Sequence, residues 1–115
     1  MKKEFVKTAL LLDLYSELLS QKQKTCVELY YQEDYSLTEI AELLGITPQG
    51  AKHHVGQGFD VLMRREEQLG FLARFEEITE AAVNIETQLK SIAEENKELE
   101  TKFASIYQML EQLKL

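Results

Sequence analysis

Residues 35–62 read YSLTEIAELLGITPQGAKHHVGQGFDVL, and their punctuation decides the fold. Ser36 followed by Glu39 is a capping box, in which hydroxyl and carboxylate each satisfy a backbone donor at a helix start. Leu37, Ile40, Ala41 and Leu44 then recur at three- and four-residue spacing, which gives a short helix one apolar face. Gly45 supplies the left-handed residue that ends it, and Ile46 turns back toward the core. Thr47 is placed to cap a second helix, with Pro48 at its first position, where a missing amide hydrogen costs nothing. Ala51, Val55, Phe59 and Leu62 continue a buried stripe along that helix, so Gln49, Lys52, His53 and Gln57 face outward. Two helices joined by a tight glycine turn, the second presenting a polar face at its start, predict a helix-turn-helix. The competing reading is an ordinary antiparallel helix pair with no nucleic-acid role.

The second helix runs on through Arg64 and Arg65 to Leu69, although Gly50, Gly56 and Gly58 each cost it about 1 kcal/mol relative to alanine. It owes its stability to packing of Val55, Phe59 and Leu62, or it frays near Gly56. Gly70 followed by Phe71 reads as a helix stop, and the domain boundary is placed there, giving 1–70 and 71–115. Upstream, Leu11, Leu14, Tyr15 and Leu18 mark the inner face of a first helix, widened by Leu10, Leu12 and Leu19. Ser20 and Gln23 form another capping box, opening a helix that carries Cys26, Val27, Tyr30 and Tyr31 inward. Glu33 and Asp34, adjacent in a polar connector, are read as solvated loop residues and not as an acid–base pair.

The 115 residues are 44% hydrophobic and 29% charged, enough apolar material for one modest core plus an appendage. One proline and five glycines leave room for long helices, so the fold class is all-α. No apolar run approaches a membrane span and no leader is apparent, which places the expected location in the cytoplasm. Cys26 is alone, excluding a disulfide framework or cysteine cluster. His53 and His54 point about 100° apart on a helix and cannot clasp one metal through a single face. There is no phosphate-binding glycine loop and no nucleophile with a base nearby, so neither catalytic residue nor cofactor nor small-molecule substrate is expected.

Net charge is −7, against the basic footprint usual in a dedicated DNA binder. Residues 1–58 carry 6 basic and 8 acidic side chains, and residues 59–115 carry 7 and 12, so the excess is mostly C-terminal.

Beyond Phe71 the pattern changes. Ile78, Ile85, Ile92, Leu99, Ile106 and Leu113 recur every seven residues, and Phe75, Ala82, Leu89, Asn96, Phe103 and Leu110 stand three residues before each. This is a heptad seam. As one straight helix it would reach roughly 65 Å, far longer than the core of the first domain. It needs another surface, either a second copy of the chain or the chain's own first half. Self-association, as a dimer in preference, is expected through Ile78, Ile85, Leu89, Ile92, Asn96, Leu99, Phe103, Ile106, Leu110 and Leu113, with Asn96 as a register-setting polar residue in the seam. Glu95 and Glu100 would repel across a parallel pair, which leaves antiparallel, broken-helix and higher-order arrangements open.

The run SQKQKTCVELYYQEDYSLTEIAELLGITPQGAKHHV resembles the YlxM family, small bacterial proteins encoded beside genes of the signal recognition particle. It is also similar to the DNA-binding region 4 of bacterial sigma factors. The likeness covers about residues 5–70 and rests mainly on LYYQEDYSLTEIAELLGI. It implies an all-helical fold, a regulatory or accessory role in the signal recognition particle pathway, and the particle's GTPase or RNA as partner. Lys52 stands where sigma region 4 is often basic. His54 and Gln57 stand where arginines are common there, and Pro48 with Gly50 replaces a more strongly helical start. On the alternative reading, a dimeric DNA-binding regulator, contacts to duplex DNA would come from Thr47, Gln49, Lys52, His53 and Gln57.

Overall fold

The computed structural model describes residues 2–115, with side chains from residue 5 onward. The described residues form six α-helices and one 3-10 turn: α1 (Lys2–Tyr15), the turn Ser16–Leu18, α2 (Gln21–Tyr31), α3 (Leu37–Leu44), α4 (Pro48–Leu69), α5 (Phe71–Glu95) and α6 (Glu98–Leu113). Local chemistry sets most of these boundaries. Ser20 Oγ accepts from Gln23 N at 3.2 Å while Gln23 Oε1 accepts from Ser20 N at 3.0 Å. Ser36 and Glu39 make the same reciprocal pair at 3.1 and 3.0 Å. The bonds from Ser36 hold the Glu39 carboxyl below the usual carboxylate range. Helices α3 and α4 both stop at glycines in the left-handed region, Gly45 at φ 68° and Gly70 at φ 67°, where a side chain would be strained.

The chain divides into two compact units, residues 1–72 and 73–115. In the first unit α1, α2 and α3 all pack on α4. One apolar cluster joins Leu11, Leu12 and Tyr15 of α1 to Val27, Leu62 and Leu72. A second joins Cys26 to Ile40, Ala41, Ala51 and Val55, and it is the core of the helix-turn-helix. Tyr31 packs against both clusters, its ring stacked on Phe59 at 5.9 Å. Leu18, expected inward, is exposed, because α1 ends at Tyr15 and the tighter 3-10 turn swings it outward and brings Leu19 in.

The glycines of α4 do not break it. Gly58 is buried where α2 crosses α4, and a Cβ there would collide with Val27 Cγ2. The missing side chain is what lets the two helices meet closely, so packing makes up for poor helix propensity. At the far end of α4, Glu66 Oε1 accepts from Tyr15 Oη at 2.7 Å and from Leu72 N at 2.9 Å, while Phe71 N donates to Tyr15 Oη at 3.2 Å. A carboxylate thus caps the start of α5 and ties it to α1. Burial, together with the bond to Glu66, pushes the Tyr15 hydroxyl above its ordinary value.

In the second unit the chain does not continue as one helix. It breaks at Asn96 and Lys97, and α6 returns antiparallel along α5. Asn96 is exposed in this connector, and its Oδ1 accepts from Glu98 N at 3.2 Å. That local bond competes with helix continuation, the usual reason asparagine favours caps and turns. Ala82, Ala93 and Leu110 are buried within this hairpin. The end of the hairpin is fastened by Lys114, whose Nζ pairs with both Glu86 and Glu111, and by Leu115 N donating to Thr79 Oγ1 at 2.9 Å. Lys90 pairs with the same Glu86 at 2.9 Å and lies over the Tyr107 ring. No helix among the described residues is long and apolar enough to cross a membrane.

Candidate nucleic-acid interface

The second helix of the helix-turn-helix begins at a well-made cap. Thr47 is extended, its Oγ1 accepts from Gly50 N at 3.0 Å, and Pro48 occupies the first helical position. From there Gln49, Lys52, His53 and Gln57 are all exposed, at offsets of three, four and eight residues from Gln49. That spacing puts them on one face of α4. They line a shallow, open depression of about 380 Å³ together with Gly56 and Asp60. Thr47 lies outside it, with its hydroxyl spent on the cap.

Asp60 is the member that sequence reasoning missed. It extends the same face by three residues from Gln57, so helical spacing alone was enough to find it. Its effect is electrostatic. Among the described residues lining the depression, Lys52 is the one formal cation and Asp60 the one formal anion, so this depression has no net positive charge, while Arg64 lines the adjoining one with Gln57 and Asp60. The first can offer hydrogen bonds from two glutamines, an imidazole and an ammonium, but little counterion release. Arg64 and Arg65, further along α4, lie beyond it, and Arg65 donates to Gln68 at 2.8 Å. His54, adjacent to His53, does not share the face. It is half-buried on another flank of α4, with ring centroids 5.7 Å apart.

The residues expected at a self-association seam fall into two groups within the second unit. Ile78, Leu89, Leu99, Phe103 and Ile106 are half-buried and Leu110 is buried, within one hairpin. Ile85, Ile92 and Leu113 remain 47%, 48% and 53% exposed, and Asn96 is in the connector. A single returning helix covers one side of a seam that is two residues wide, so the other side is left outward.

Capped helices, a left-handed glycine turn and a polar outward face on the second helix define an all-α helix-turn-helix protein. Over residues 2–106 the sequence matches the family UPF0122, described as "Putative helix-turn-helix protein, YlxM / p13 like". The chain belongs to that family. It is 43% identical over 84 residues to a UPF0122 protein of Acetivibrio thermocellus, covering 73% of this chain and 72% of the relative. A UPF0122 protein of Desulforamulus reducens is 39% identical over 83 residues, covering 72% and 71%. One from Thermoanaerobacter sp. (strain X514) is 37% identical over 97 residues, covering 84% and 83%. No solved structure matches the chain significantly.

Proposed function

We propose that this chain acts in the cytoplasm by binding and not by catalysis, as a regulatory or accessory component of the signal recognition particle pathway. In this reading the helix-turn-helix serves as a docking scaffold for the particle's GTPase or its RNA. The observation that carries the docking reading is the outward face of α4, where Lys52 is offset by Asp60 in a chain of net charge −7. Such a face has specific hydrogen-bonding groups without the excess charge that drives general duplex binding. The choice of target rests on the likeness to YlxM proteins, encoded beside genes of the particle. The chain works as a homodimer, using the outward residues Ile85, Ile92 and Leu113.

A second reading, a dimeric DNA-binding regulator, is favoured by the exposure of Gln49, Lys52, His53 and Gln57 on the helix that enters the major groove in helix-turn-helix proteins. One experiment separates the two. The full chain is titrated with labelled random duplex DNA at two salt concentrations, and with the particle's GTPase and its RNA in parallel. The docking reading expects retention of GTPase or RNA and no duplex binding. Salt-sensitive duplex binding that Lys52→Glu abolishes would establish the regulator instead.

A further inference from the structure

On the flank of α4 turned away from Lys52, a second cavity opens between the start of α2, the end of α3 and His54. Its volume is about 180 Å³, and its walls are mainly apolar, formed by Cys26, Leu44, Ile46 and the methyl-bearing Thr25, with Lys22 and His54 among its lining. The size is informative. Cofactor and drug-sized pockets run about 300–1,000 Å³, whereas an apolar cavity of about 150 Å³ holds one benzene ring. This space fits a single bulky side chain. Leu44 is 39% exposed, so the cavity wall that it forms is open to solvent.

The charge around it is opposite to that of the whole protein. Among the described residues no carboxylate lines the cavity, although the chain has 20 acidic residues against 13 basic ones. Lys22 is itself exposed, and its ammonium opposes the upward push of burial on the Cys26 thiol. A cationic group beside an apolar hole suits an apolar side chain flanked by carboxylates. A bare phosphate held by Lys22 would leave the apolar hole unfilled.

We propose that this cavity is a docking site for an acidic segment of a partner protein, which inserts one phenylalanine- or leucine-sized side chain while a neighbouring carboxylate meets Lys22. The site does not depend on the face that contains Lys52, so it stands or falls separately from the function proposed above.

The test is nuclear magnetic resonance on the isotope-labelled full chain, titrated with a short capped peptide in which one phenylalanine is flanked by glutamates and aspartates. Shifts should concentrate at Lys22, Thr25, Leu44, Ile46 and His54, and disappear when alanine replaces the phenylalanine. Lysine-flanked peptide, or the Lys22→Glu protein, should bind about tenfold more weakly. Leu44→Ala, a change at a partly exposed position whose unchanged spectrum elsewhere reports an intact fold, should lose the shifts. Absence of shifts at these residues, or equal binding of acidic and basic peptides, would overturn the proposal. Concentration-dependent shifts at the same residues without peptide would overturn it too, by making a second copy of the chain the occupant.

Discussion

Gly56 and Gly58 lie two residues apart on α4 and carry opposite consequences. Nothing stands within 4 Å of a Cβ built at Gly56, whereas one at Gly58 meets Val27, which is fully buried in the core and cannot withdraw. Gly56→Ala is therefore expected to stabilise the protein by about 0.5–1 kcal/mol, the usual gain in a helix interior. Gly58→Ala gains the same propensity but overpacks the α2–α4 crossing at a cost of about 1–3 kcal/mol, so the net sign is destabilising. Denaturant midpoints of the two variants should move in opposite directions. Tyr15 makes a comparable point about polar groups. Its hydroxyl both donates to Glu66 and accepts from Phe71 N, so Tyr15→Phe removes a charge-assisted bond at a helix start. The expected loss is about 1.5–3 kcal/mol by the same measurement.

At the scale of elements, the α5–α6 hairpin is held at its open end by Glu86 between Lys114 and Lys90. Hydrogen bonds from Lys114 first and Lys90 second pull the Glu86 carboxyl from 4.5 down to about 2. A carboxylate depressed on folding contributes stability that is complete above its unfolded value and disappears as pH falls through its folded one. The difference in thermal midpoint between the native chain and Glu86→Gln should thus be largest above pH 4.5 and should close as pH falls toward about 2. An offset that stayed constant across this window would show that the ion pair does not support the hairpin. Elements of this kind differ in how legible they are. The caps at Ser20, Ser36 and Thr47 and the stops at Gly45 and Gly70 could be read directly, because each is encoded within a few adjacent residues. The break at Asn96 could not, since neither proline nor glycine marks it, and a heptad series looks the same whether it faces a second chain or its own returning helix. The same divide runs through the candidate site. Gln49, Lys52, His53 and Gln57 follow from helical spacing on one helix, and Asp60 was within reach of that rule. The cavity beside His54 draws Lys22, Thr25 and Cys26 from a helix some thirty residues away, and only tertiary packing shows it.

For the whole molecule, the question is what the outward apolar series on the hairpin does. Ile85 and Ile92 are about half exposed and seven residues apart, so they lie nearly above one another on the side of α5 that α6 does not cover. Paired isoleucines at this spacing suit a second helix from another copy, and mutual burial of such side chains contributes about 1.5–3 kcal/mol each. Removing the whole C-terminal segment after Gly70 would be a poor test, because Leu72 is only 2% exposed in the core of the first unit and its amide is capped by Glu66. That cut would damage the helix-turn-helix along with the seam. The cleaner change is Ile85→Lys with Ile92→Lys in the full chain, which places charge on an outward face and leaves Ala82, Ala93 and Leu110 packed. Sedimentation should then show the native chain as a dimer and the double variant as a monomer, with helical content unchanged. A native chain that already sediments as a monomer, or a double variant that stays dimeric, would remove this face as the interface. A monomeric double variant that still retained the particle's GTPase or RNA would place docking within a single copy. Loss of retention on dissociation would mean that the target spans two.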